Sequence, residues 1–207
     1  MYKRQIKSLP PNRTPIVTTT LPNNRRDALI NRIKSAINKN SQVYWVCPLI
    51  DESESELIGI EDLEKILKKE FDSQDYEIIH GKMKDMDKQK ILSDFKEKKT
   101  KILLATTVIE VGIDVPDANI MVIENSERFG LAQLHQLRGR VGRGEKESFC
   151  ILMHNDSLTE LPEKRLQIIT ETNDGFIIAE EDLKLRGPGD ILGLSQTGQP
   201  SFTFFDL

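Results

Sequence analysis

The chain has 207 residues, 38% of them hydrophobic and 30% charged, which is apolar material for one modest domain with an appendage or for two small ones. A formal net charge of -4 excludes a protein coated in positive charge for non-specific nucleic-acid binding, so any anionic partner must meet a local patch. Two cysteines far apart, with no metal-ligand spacing, exclude a disulfide scaffold and a zinc site; with no apolar run of membrane-spanning length and no signal-like opening, they predict a cytoplasmic protein with no membrane partner.

The segment "LPPNRTPIV" reads as an extended lead-in, so residues 1–22 are taken as a lead-in plus a first strand, "IVTTT". Further β-branched, apolar runs follow at "VYWVCPLI" (43–50), "YEIIH" (76–80), "KILLA" (101–105), "NIMVIE" (119–124) and "SFCILM" (148–153), each suited to burial on both faces. Between them, residues 24–38, 60–71 and 85–97 carry apolar positions at helical spacing. Alternation of this kind predicts an α/β fold for residues 23–158: a mostly parallel sheet flanked by helices, with ligands held where strands end and helices begin. "VCPLIDESE" imitates a magnesium-binding acidic strand end, but no G-x-x-x-x-G-K-[ST] precedes it, and "HGKMK" lacks both the earlier glycine and the following hydroxyl; Asp51 and Glu52 are therefore set aside as catalytic acids, and no residue is assigned to metal.

Two later segments carry chemistry. In "ILLATTVIEVGIDVPDAN" a buried strand delivers Thr106 and Thr107 to its carboxyl edge, before a turn that ends at Gly112 and Asp114. Hydroxyls and open backbone N–H groups there suit a phosphate, and the Asp114 carboxylate suits a ribose hydroxyl; the same spacing also suits Thr106 as a helix cap and Gly112 as a helix stop. In "LHQLRGRVGR" a helix beginning near Leu131 would align Gln133, Gln136 and Arg140 on one face, with Arg143 a turn further, while Gly139, Gly142 and Gly144 let a backbone or a polyphosphate come close. A solvated basic helix end is the plainer alternative. From residue 159 the pattern changes to a helical hairpin, 161–173 and 176–186, turning at Asp174-Gly175, followed by the glycine- and proline-punctuated "GPGDILGLSQTGQPSF", which must lean on something else.

"ATTVIEVGIDVP" and "QLHQLRGRVGRG" resemble motifs V and VI of superfamily 2 helicases, and "YWVCPLI" resembles motif IV. Through "ENSERFGLAQLHQLRGRVGRG" and "DLKLRGPGDILGLSQTG", nearly the whole chain resembles the RecG family of bacterial ATP-dependent DNA helicases. The resemblance implies the second RecA-like domain of a P-loop NTPase fold (helicase C-terminal domain), followed over 159–207 by a hairpin and loop like the family's translocation motif, and truncated at its C-terminus. It implies Arg140 and Arg143 as catalytic arginines, and Gln136, Gly139, Gly112 and Asp114 at the nucleotide. Thr106, Thr107, His80 and Gly81 would lie on the DNA side, and Arg165 and Arg186 would hydrogen-bond within the hairpin to swing the Gln196 loop against duplex DNA. ATP with Mg2+ would be held mainly by a first RecA-like domain absent from this chain, leaving this segment inactive alone. Branched and double-stranded DNA, that first domain and a wedge domain are the implied partners. The motor half of a transcription-repair coupling factor and a stand-alone nucleic-acid-binding module are the alternatives.

Overall fold

A computed structural model describes residues 15–48, 57–106, 115, 118–144 and 146–186, the side chains of 57–59 and 186 apart. Six strands, β1 (Ile16–Pro22), β2 (Gln42–Cys47), β3 (Tyr76–Ile79), β4 (Ile102–Thr106), β5 (Ala118–Ile123) and β6 (Ser148–His154), form one sheet in the order β1-β6-β5-β2-β4-β3, with every pairing parallel. Three of the four interior strands, β2, β4 and β5, are buried along their whole length, as their unbroken apolar runs require.

Handedness decides which helix covers which face. The chain steps one way across the sheet through α1 (Arg26–Ile37) and α2 (Leu57–Glu70), then returns through α3 (Asp85–Lys96) and α4 (Leu131–Arg138). Right-handed crossovers taken in opposite directions must lie on opposite faces. Accordingly Leu29, Ile33, Leu63 and Leu67 pack with Val43, Trp45 and Leu104 in one core, whereas Phe95, Leu131 and Leu134 pack with Tyr44, Val46 and Leu103 in the other. The hairpin, α5 (Glu160–Glu171) and α6 (Gly175–Arg186), adds Leu166, Ile169 and Ile178 to this second core, so it is built into the domain's own packing. On the first face β1 and β6 are left largely uncovered, and a cleft of about 460 Å³ opens there against α1, lined by Leu21, Leu29, Ile33, Phe149 and Ile151 among others. None of the candidate site residues lines it.

Where β2 and β5 end, a polar contact is sealed into the first face. Glu124, directly after β5, receives both guanidinium nitrogens of Arg26, the second at 2.9 Å, and the Trp45 indole N–H at 2.9 Å. Arg26 also donates to Asn23 Oδ1 at 3.2 Å, which fixes the start of α1 over the sheet edge. Both cysteines are buried thiols; burial pushes Cys150 up to about 12 and raises Cys47 further, with the Glu124 carboxylate adding to the effect at Cys47. Glu124→Ala removes the carboxylate from a mostly shielded guanidinium and from a buried indole. It is expected to destabilise the chain by about 2–3 kcal/mol, less than a fully buried pair would lose because Arg26 keeps some solvent. Urea unfolding checks this as a lower midpoint at unchanged slope.

Candidate functional site

The arginine-rich segment follows α4, and its local structure departs from the sequence expectation. Gly130 starts the helix, its N–H bonded back to Gln133 Oε1 at 3.0 Å, and Leu131, Leu134 and Leu137 face the core. The helix then stops at Arg138. Arg140 N–H bonds to the Leu137 carbonyl at 3.0 Å and Val141 N–H to the Arg138 carbonyl at 3.3 Å, both three-residue steps, and Gly142 takes the left-handed φ of 80°. The single row of Gln133, Gln136 and Arg140 is therefore not formed: Gln133 caps the helix, and Arg140 sits in the turn beyond it. Burial of Val141, 1% exposed, draws the chain inward and ends the helix. Arg140 and Arg143 flank this buried valine, each half-buried. At Gly139 an added Cβ would meet only the carbonyls of Gln136 and His135, at an ordinary 3.4 Å, so nothing within the described chain demands a glycine there.

The third arginine, Arg138, has a separate place from the other two. Only 2% exposed, it donates Nη1 to the carbonyls of Ile169 (2.7 Å) and Thr172 (2.9 Å) at the end of α5, and at 3.5 Å to Thr18 Oγ1 on β1. A cation closing the carbonyl end of a helix is favoured by both hydrogen bonding and the helix dipole. Its Nη2 donates to His135 Nδ1 at 2.9 Å, which requires the imidazole to be neutral with its proton on Nε2. That Nε2 lies 3.0 Å from where a Cβ on Gly175 would stand, so the first residue of α6 is held against α4 by close approach. Burial lowers the His135 pKa, the Arg138 charge lowers it further, and Asp174 acts weakly in the other direction.

Other candidate residues fall at the opposite end of the sheet. Thr106 ends β4 fully buried, with its Oγ1 lacking a hydrogen-bond partner, and His80 and Gly81 follow β3 at the same carboxyl edge, where the Gly81 carbonyl accepts from Lys88 Nζ at 3.1 Å. By contrast, α4 runs back toward the amino edge. Lys146 and Glu147, just past the arginines, bond to Asn40 before β2 and to Asn119 at the start of β5. The arginine segment thus lies on the amino side, away from the carboxyl edge where the strand–helix alternation places ligands. Val115, next to Asp114, immediately precedes β5 on that same side. Thr107, Gly112, Asp114 and Gln196 lie outside the described residues; Arg186 ends α6, and its side chain lies outside them too.

Arg165 on α5 is also corrected in its partners. Its guanidinium donates out of the hairpin, from Nη1 to the Phe129 carbonyl at 2.9 Å and from Nη2 to the Glu127 carbonyl at 3.5 Å, in the short turn that leads from β5 to α4. Among the described residues no cluster of His, Cys, Asp and Glu could hold a metal ion, and no helix is long and apolar enough to cross a membrane.

With this geometry in view, the chain matches the family model of the helicase conserved C-terminal domain over residues 21–145, and that of the C-terminal part of domain 3 of the ATP-dependent DNA helicase RecG over residues 172–207. It is 50% identical over 204 residues to the ATP-dependent DNA helicase RecG of Pasteurella multocida and 48% identical to that of Escherichia coli K12, covering 98% of this chain and 29% of each relative. The solved structure of RecG bound to a three-way DNA junction is similar with a TM-score of 0.73 and 43% identity, over 89% of this chain and 24% of that one. The C-terminal domain of the DEAD-box protein Dbp5, 17% identical with a TM-score of 0.52 over 77% of this chain and 84% of that one, shares the fold alone.

The Arg138–His135 contact makes stability depend on pH. Because the folded chain holds His135 below its ordinary value, the unfolded chain binds more protons at acid pH; the contribution is complete above about 6.5 and is lost as pH falls through that value. Thermal melts between pH 7.5 and 5.5 should show a falling Tm, and His135→Gln should flatten the fall.

Proposed function

The chain belongs to the helicase conserved C-terminal domain family and, within it, to the RecG type; on that premise we propose that it is the second half of a motor that uses ATP to translocate on double-stranded DNA and to remodel branched DNA such as stalled forks and Holliday junctions. It spans 29% of the length of the RecG relatives it matches, so the P-loop, the magnesium-holding acid and the wedge are assigned to the remainder of such a protein. The chain alone then hydrolyses no ATP. The cytoplasm is the proposed location.

The observation that carries this reading is the separation of two sets of residues across one sheet. Arg140 and Arg143 stand beyond α4 on the amino side, whereas Thr106, His80 and Gly81 stand at the carboxyl edge. Such a domain meets nucleotide at one end and DNA at the other. ATP supplies a γ-phosphoryl group whose transfer spreads negative charge over its oxygens. Arg140 and Arg143 supply forked cations for that charge from across a domain cleft, an effect on the order of a thousandfold or more for arginine fingers. Gln136, Gly139, Gly112 and Asp114 are assigned to holding the nucleotide against them. Thr106, Thr107, His80 and Gly81 are assigned to the DNA backbone; Arg165, Arg186 and Gln196 are assigned to moving it. The turn between Val141 and Gly142 suits the arginines' task, since the buried valine fixes the backbone from which both side chains project.

The test is a graft in which this chain replaces the corresponding 204 residues of the E. coli relative. The graft is expected to unwind a synthetic fork with ATP. Arg143→Ala in the graft should abolish most DNA-stimulated hydrolysis while ATP binding stays within a few-fold; equal loss of binding would assign Arg143 to structure instead. Gln196→Ala should leave hydrolysis largely in place and impair fork unwinding, measured on the same substrate.

A further inference from the structure

The turn joining β5 to α4 contains an inverted pairing. Its residues Ser126–Arg128 form a single 3-10 turn, entered through Asn125 in the left-handed region at φ 45° and anchored by Ser126, whose buried hydroxyl donates to the Met153 carbonyl at 2.8 Å. Between buried Ser126 and exposed Arg128 stands Glu127, and both of its carboxylate oxygens are shielded from solvent without a hydrogen bond. Against the same turn lies the guanidinium of Arg165, which bonds to two neutral carbonyls, those of Phe129 and of Glu127 itself, and whose shielded Nε has no partner. A formal cation thus takes uncharged acceptors while a formal anion on the same turn goes without.

Shielded carboxylates without partners are costly, and a fork of Nε and one Nη on a carboxylate is among the strongest pairings available to these groups. One rearrangement would satisfy all three orphan atoms together: transfer of the Arg165 guanidinium from the carbonyls to the Glu127 carboxylate. The place of this contact gives the rearrangement a use. The turn feeds α4, which leads into Arg140 and Arg143, and Arg165 belongs to α5, so the contact lies on the path from the arginine segment to the hairpin.

We propose that Glu127 is a positioning residue for translocation, the second seat of Arg165: the guanidinium rests on the carbonyls of Phe129 and Glu127 in one position, the one seen here, and moves onto the Glu127 carboxylate when α5 shifts against the β5–α4 turn. The unpaired carboxylate destabilises the resting state, and its pairing favours the shifted one, which biases a two-position element as a switch requires. This rests on the proposed motor function for its use, but not for its geometry.

Two measurements test it. In the 207-residue chain, Glu127→Gln removes an unpaired charge from the resting state and should raise Tm by about 2–4 °C; an unchanged or lower Tm overturns the proposal, because a carboxylate already in use would be missed. In the E. coli graft, the number of base pairs unwound per ATP hydrolysed should fall about tenfold in Glu127→Gln and in Arg165→Gln, with the double variant no worse than either, as members of one pair behave. A ratio that stays constant while both rates fall together marks a merely structural role and sinks the idea. Should the graft with its native residues hydrolyse ATP without unwinding, the motor function fails, while the melting experiment still decides the resting geometry.

Discussion

One guanidinium holds the working parts of this chain to one another. Arg138 comes from the last turn of α4, closes the carbonyl end of α5, reaches toward β1 and fixes the tautomer of His135. Without a cation at that point, two helix-end carbonyls in an apolar setting would lose their partner, and the hairpin would keep its angle against α4 through apolar packing and the Arg165 bonds to the turn before it. Packing is non-directional, whereas a planar guanidinium with four acceptors is not. The hairpin's orientation is thus fixed from the same short helix that carries the chain into Arg140 and Arg143. In the proposed motor, that shared origin would keep the hairpin and the arginine segment from drifting independently.

The sheet supplies the rigid frame. Its central strands are closed to water on both faces, and right-handed crossovers put α1 and α2 on one side and α3, α4 and the hairpin on the other. The polar contacts divide between the faces: the Arg26–Glu124–Trp45 contact secures the first, while the contacts of Arg138 and Arg165 gather on the second.

Much of this was legible in the residues. All six strands were visible because β-branched runs such as "VYWVC" and "NIMVI" are written for two-sided burial, and α5 and α6 followed from their spacing around Asp174-Gly175. The run through α4 was read too long, because helical periodicity continues through Arg140 while the event that stops the helix is the burial of Val141, a tertiary fact. Three arginines in ten residues look alike on paper. Arg138 differs from Arg140 and Arg143 only once α5 arrives 31 positions later with carbonyls to offer, and Glu124 differs from other acids only once Arg26, 98 positions away, folds onto it. Glu127 carried no signal, since an orphaned carboxylate is defined by what surrounds it. The motifs recognised as motifs were those written locally; contacts across the chain had no local signature.

The pairing of the first strand carries a consequence for how the molecule is made. β1 hydrogen-bonds to β6 alone, and the loops beyond them are tied by Asn23 and Asn155, 132 positions apart. A parallel edge strand cannot be seated before its neighbour exists, so β1, paired among the described residues with β6, must wait until that much later strand has been made. Non-local closure of this kind is entropically late. Seating β1 is therefore a late step of folding, and a nascent chain halted before β6 would present an unpaired, β-branched strand to any similar edge nearby.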